Sequence, residues 1–318
     1  MPTTSKPAPA EQTPAPVLSN KQRRKLSKRE QAAYSLEMVE VRRREARRKQ
    51  IRRRVTVVIS SVLAVAVVGT GAGLLIWKDI RDSYIGPANM LSDGLLLTGS
   101  TDSSTNKATI SPVTTDAIQT DAKPVATNLA NHKSTANVAL YLDYADPKSA
   151  TFMAANGATL ENWLGAGYIT LEMHPIATTS SAKNDYSRRA ANALACVAAN
   201  DPSQFLTVSD ALIKAASTKK QTSKSTTALT ALVTKAGVTD TKVTDCIGGT
   251  SYGNWVDAAT HRATHGGLLN ADKKSLTAAP LVEINKKSYT GKLDDSSALT
   301  SFIASLYSSS SSSSSTGG

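Results

Sequence analysis

The chain of 318 residues holds two cysteines, Cys196 and Cys246, and 50 positions separate them. Disulfide exchange needs a thiolate that attacks sulfur and a second thiol that resolves the mixed disulfide. A Cys-x-x-Cys pair would supply both, and the sequence has none. His261-Arg-Ala-Thr-His265 sets two imidazoles four residues apart, on one helical face. That is half of a zinc site, but the metalloprotease pattern places Glu after the first His and Arg262 stands there. With no third ligand evident, the pair reads as surface or capping histidines, and neither a metal nor a cofactor is expected. A serine-hydrolase reading finds no Gly-x-Ser-x-Gly elbow. Gly248-Gly249-Thr250 is followed by no phosphate-loop lysine and reads as a helix terminator. Trp163 and Trp255 fall at helical core positions.

Charge and hydropathy decide where such groups can work. From Val55 to Trp77 the run VTVVISSVLAVAVVGTGAGLLIW carries no charge. As a helix rising ~1.5 Å per residue it reaches roughly 34 Å, enough to cross a hydrocarbon core of ~30 Å with some tilt. Residues 1–54 precede it, too long a stretch for a cleaved signal peptide, so an uncleaved signal-anchor is expected. Those 54 residues hold 16 Lys and Arg against 5 Glu, which leaves 21 basic and 20 acidic residues for the rest of the chain. Basic residues beside a span stay in the cytoplasm, so the carboxyl-terminal part is expected outside it. The same concentration of charge argues against nucleic-acid binding by the folded part. Residues 21–54 lack Gly and Pro and read as a basic juxtamembrane helix on anionic lipid headgroups.

Around this transmembrane helix, 55–77, the chain divides by composition. Residues 1–20 are rich in Pro, Thr and Ala and read as disordered. Residues 78–133 show no sustained periodicity and read as a stalk with a short docking strand. Residues 308–318 are a Ser-rich disordered tail. The remainder, 134–307, fits one domain. Asn137–Asp143 is an apolar, β-prone run, and Ser149–Leu164 repeats apolar residues at helical spacing. Tyr168–Met173 alternates as a strand. A helical block follows over Tyr186–Ala199, Gln204–Ala216, Thr226–Ala236, Val243–Cys246 and Tyr252–Gly266. Strand character returns at Leu281–Ile284, a turn at Lys286-Lys287 leads to Tyr289, and a helix over Ser297–Leu306 ends the domain. The predicted order is β-α-β, helical block, β-β-α, an α/β (α+β) class.

That order resembles the DsbA-type branch of the thioredoxin-like superfamily, which inserts a helical block between the halves of a thioredoxin fold. Asp143-Tyr144-Ala145-Asp146-Pro147-Lys148-Ser149 stands where the family has an acidic residue, an aromatic, then Cys-Pro-x-Cys opening a helix. Glu172-Met173-His174-Pro175 resembles the end of the family's second strand. Ala278-Ala279-Pro280 resembles the loop that presents a cis-proline, which makes Pro280 the candidate. The resemblance implies a degenerate active site at Asp146, Pro147, Lys148 and Ser149, because Asp146 and Ser149 replace both cysteines. Neither a carboxylate nor a hydroxyl can exchange disulfides; the plainer role of Asp146 is to cap the helix it begins. Related proteins of Gram-positive actinobacteria carry an accessory cysteine pair in the same block, which implies a structural disulfide between Cys196 and Cys246. A redox-active pair and two free thiols are the alternatives.

Three functions follow as expectations. The first is a membrane-anchored, extracytoplasmic, non-redox module that binds protein or peptide segments in the manner of a chaperone. The second is a thiol-disulfide oxidoreductase using Cys196 and Cys246. The third is a cell-envelope sensor or structural protein in which the basic tail acts.

Overall fold

The sheet is built outward from Ala136–Asp143 (ANVALYLD), a run too apolar to face water. Its alternate residues Val138, Leu140 and Leu142 enter the main core, and Asn137, Ala139, Tyr141 and Asp143 take the opposite face. The structure is a computed structural model that describes residues 85–129, 132, 135–180, 185–217, 225–269 and 271–312. The chain divides into two units, Met1–Leu75 and Ile76–Gly318, and every described residue belongs to the second. The expected disordered segment 1–20, juxtamembrane helix 21–54 and transmembrane helix 55–77 lie outside the described residues. Among those described, no helix is long and apolar enough to cross a membrane.

In chain order the strands are β1 (Leu95–Thr101), β2 (Ala108–Pro112), β3 (Ala136–Asp143), β4 (Ile169–Ile176), β5 (Leu281–Ile284) and β6 (Lys287–Ser288). The helices are α1 (Pro147–Gly165), α2 (Tyr186–Asn200), α3 (Phe205–Ser217), α4 (Thr226–Lys235), α5 (Thr241–Gly249), α6 (Gly253–Thr264) and α7 (Ser296–Ser312). The sheet order is β2-β1-β4-β3-β5-β6. β3 and β4 are parallel, Leu140 opposite Met173, and α1 makes the crossover between them. β5 is antiparallel to β3, with Tyr141 opposite Leu281. The helical block, α2 to α6, separates the two halves, as the predicted element order requires.

Helix α2 lies at the centre of that block, with Ala190, Ala191, Ala193, Ala195 and Ala198 all fully buried. Small side chains let neighbouring helices approach closely, and Phe205, Leu212, Leu229, Val233 and Trp255 complete the core around them. Asp240 caps α5 through its Lys242 N–H contact at 2.8 Å, and the helix ends at Thr250 in the left-handed conformation, φ 51°. The Gly248-Gly249-Thr250 terminator thus ends α5 at its last residue.

Two expectations are corrected. Residues 78–133 are not a stalk through their described part: Met90, Leu95, Leu97 and Ile118 are buried, and β1 pairs antiparallel with β4, Leu95 opposite Met173. The domain therefore starts by Gly86, whose N–H donates to Ile118 at 2.7 Å, and not at residue 134. β2 is a short polar edge strand, a common way to discourage unwanted pairing, and its composition looks like coil. Gly99 fits because any Cβ there would lie 1.5 Å from the Leu164 carbonyl, at the end of α1. The tail expected from 308 is also shorter, since α7 continues to Ser312. Extending a helix already nucleated by Leu299 and Ile303 fixes one residue per added hydrogen bond, at a modest propensity cost for Ser.

Candidate functional site

Asp143 ends β3 with a carboxylate that no water reaches, and every lone pair it offers is claimed. Oδ1 accepts from the Ala145 N–H at 2.9 Å and the Ser187 hydroxyl at 2.6 Å. Oδ2 accepts from the Thr178 hydroxyl at 2.8 Å and the Thr179 N–H at 2.7 Å. One side chain thereby joins the turn into α1, the exit of β4 and the first turn of α2. Next along, Tyr144 is buried and shares a 2.7 Å hydrogen bond with Ser209 of α3. Burial pushes its phenol well above the ordinary range, so it stays protonated.

Asp146, Pro147, Lys148 and Ser149 fall together on the first turn of α1. Asp146 is the N-cap: its Oδ1 accepts from the Lys148 N–H at 2.6 Å and from the Ser149 N–H at 3.4 Å. Pro147 sits at the first helical position, where a missing N–H costs nothing. Pro147 and Lys148 are exposed. Ser149 is fully buried, and its hydroxyl meets no hydrogen-bond partner among the described residues. The Ala279–Pro280 bond is cis. The β3–β5 register carries Pro280 to the end of the sheet from which β3 passes through Asp143 into α1. Ala278 is exposed, and no described hydrogen bond occupies the backbone N–H or C=O of Ala278 or Ala279.

The sulfur chemistry lies elsewhere. Cys196 of α2 and Cys246 of α5 form a disulfide with Cα atoms 5.7 Å apart, and there are no free cysteines. Cys196 is fully buried and Cys246 half-buried. The bond fastens two helices of the block and belongs to neither α1 nor the Pro280 loop. His261 and His265 stack with ring centroids 4.0 Å apart near the end of α6. No group of three or more metal-ligating side chains occurs among the described residues.

A polar cluster on the other face of the sheet was not read from the sequence as a site. Thr170, Glu172 and His174 alternate with Leu171 and Met173 on β4, a pattern that ordinarily marks a solvent face. All three are buried instead, beneath the segment before β1, the 125–129 stretch and the chain between α6 and β5. Glu172 accepts from the Ser92 and Thr127 hydroxyls. Burial pushes the Glu172 carboxyl up, but His174, Ser92 and Thr127 outweigh it and hold it at about 2. His174 stacks on Tyr141 at 4.1 Å. Asp93 receives Arg262 through two bonds of 2.7 and 2.6 Å, and the Trp255 indole N–H at 3.2 Å. Strict alternation of Thr170, Glu172 and His174 opposite Tyr141 was the available signal; it needed the covering segments to be interpreted.

The sequence profile of the thioredoxin family matches residues 127–303. No curated protein is significantly similar to the chain. Among solved structures, the chain is 27% identical to the reduced form of a disulfide bond oxidoreductase, DsbG, from Mycobacterium tuberculosis. That alignment covers 54% of this chain and 78% of that one, with a TM-score of 0.44. MdbA, a thiol-disulfide oxidoreductase from Actinomyces oris, is 22% identical over 54% of this chain and 80% of its own, TM-score 0.46. BdbD from Bacillus subtilis is 15% identical over 57% and 95%, TM-score 0.44. With over half its residues inside that profile, the chain belongs to the thioredoxin family.

Proposed function

We propose that this chain is a membrane-anchored, extracytoplasmic module that binds extended protein segments and performs no thiol chemistry. The observation that carries the reading is the placement of oxygen and sulfur. The first turn of α1 offers Asp146 and Ser149, and the chain's two sulfur atoms of cysteine are spent on one another between α2 and α5. Without a thiolate there is nothing to attack a client disulfide at this turn. Binding needs less. The unpaired backbone groups of Ala278 and Ala279, beside the cis bond to Pro280, suit a client strand that adds to the sheet end through main-chain hydrogen bonds. The charge asymmetry about residues 55–77 supports a cytoplasmic amino terminus and an external domain.

The full chain is expected to leave insulin disulfides intact and to leave reduced ribonuclease unoxidised. It is expected to suppress aggregation of reduced, denatured lysozyme, and Ala278→Pro, which deletes a backbone donor at the exposed loop, should abolish that. Turnover in the first pair of assays, or suppression untouched by the proline, would count against the reading. The double variant Asp146→Cys/Ser149→Cys should gain disulfide exchange, since it puts two thiols on the turn where relatives are expected to carry them.

A further inference from the structure

His174 is 1% exposed, and neither of its ring nitrogens meets a hydrogen-bond partner among the described residues. In either protonation state an imidazole presents two polar ring nitrogens, so leaving them without a hydrogen bond in the interior carries a desolvation cost. The surrounding side chains cannot meet them. The nearest carboxylate oxygen, Glu172 Oε2, is 3.8 Å from Nε2, too far for a hydrogen bond. The Asp93 oxygens take Arg262 and Trp255, and the Tyr141 hydroxyl donates to the Leu269 carbonyl at 3.2 Å. One ring face is stacked on Tyr141. Gly94 packs so tightly that a Cβ there would fall 2.6 Å from the imidazole, so no side chain at 94 could reach in.

One direction remains open. A cavity of about 10 Å³, measured for the centre of a water-sized sphere, is bounded by His174, Tyr141, Ser92 and Asp93 on its polar side and by Ile176 and Ala263 on its apolar side. That space is enough to admit a water molecule. The wall offers the mixture of donors and acceptors that a trapped water requires, two to four polar partners around one oxygen. We propose that this cavity is a binding site for an ordered water, which bridges one ring nitrogen of His174 to Asp93. Through Asp93 the bridge reaches Arg262, so β4, the segment before β1 and α6 are joined by one hydrogen-bonded chain across the sheet's second face. His174 is a positioning residue here. Two residues on, Ile176 leads into Thr178 and Thr179, which hold Asp143 at the candidate site.

The test uses the full chain with ¹⁵N-labelled histidine, which gives signals from four residues. His174→Phe keeps the ring stack and identifies the His174 signals by their loss. The expected result is that one His174 ring nitrogen shows a hydrogen-bonded shift. Both nitrogens at the shifts of an unbonded imidazole would overturn the proposal. Ala263→Val then pushes a methyl group into the cavity. If water is displaced, His174 moves to unbonded shifts and Tm falls by about 2–4 °C or more. If the cavity is dry, the added methyl fills it and Tm rises with the His174 shifts unchanged, and the proposal fails.

Discussion

A buried carboxylate is tolerated only where donors surround it, and Asp143 has the Ala145 and Thr179 N–H groups together with the Thr178 and Ser187 hydroxyls. Every one of those groups donates toward it. Asp143→Asn replaces an acceptor with an NH₂ that faces donors, and is expected to cost about 2–3 kcal/mol. Urea unfolding of the two proteins measures this; a change below about 0.5 kcal/mol would mean the network is dispensable. Glu283 is the opposite case. It is buried on β5, Ser288 donates to Oε1, and Oε2 has no partner among the described residues. Burial raises its carboxyl above the ordinary 4.5. Below pH 4.5 the folded and unfolded states are both protonated there and no penalty exists. As pH rises through the raised folded value, the folded state must hold a charge it disfavours, and stability is lost. Glu283→Gln should therefore gain Tm relative to the parent at pH 7, with a smaller gain at pH 4. Equal differences at the two pH values would show that Glu283 does not titrate abnormally.

At the level of elements, the Cys196–Cys246 bond closes a 50-residue separation between α2 and α5. On a chain-entropy account, restricting a loop of that length in the unfolded state contributes about 4 kcal/mol. Replacing both cysteines by Ala is expected to lower Tm by about 10 °C. Suppression of lysozyme aggregation below the transition should survive. If that activity disappears while the domain remains folded, the bridge belongs to the function and not only to stability. The same scale explains β1 and β2. Leu95, Leu96 and Leu97 form an apolar start that looks too short to matter in isolation, and the rest of the hairpin is polar. Its strand identity comes from pairing with β4 and from the close approach of Gly99 to α1, neither of which has a local signature.

For the chain as a whole, the uneven charge is the governing property. The excess of basic residues falls within 1–54, directly before an uncharged run of 23 residues. Anchoring by residues 55–77 predicts that the protein stays with membranes after alkaline carbonate extraction. Protease added outside intact spheroplasts should digest the domain and spare 1–54. Release by carbonate, or protection of the domain, would reverse the assignment. Removing 21–54 while keeping the span should leave aggregation suppression by the domain unchanged; its loss would favour the sensor reading.

Sequence alone determined the element order from β3 onward, because β3 is an apolar β-prone run, β4 alternates with period 2, and α1 and the helical block repeat apolar residues at helical spacing. It also determined which chemistry the first turn of α1 lacks, since residue types are fixed whatever the fold. Asp146 as a cap was legible too, from a side chain that suits a helix start with Pro147 after it. What only the tertiary structure decided concerns partners distant along the chain. The donors of Asp143 come from three separate elements. The burial of Glu172 depends on partners far along the chain, such as Thr127, 45 residues away, and Ser92, 80 residues away. An alternating strand says that one face differs from the other. Whether the polar face meets water or other polar side chains is set by what folds over it, and no local pattern encodes that.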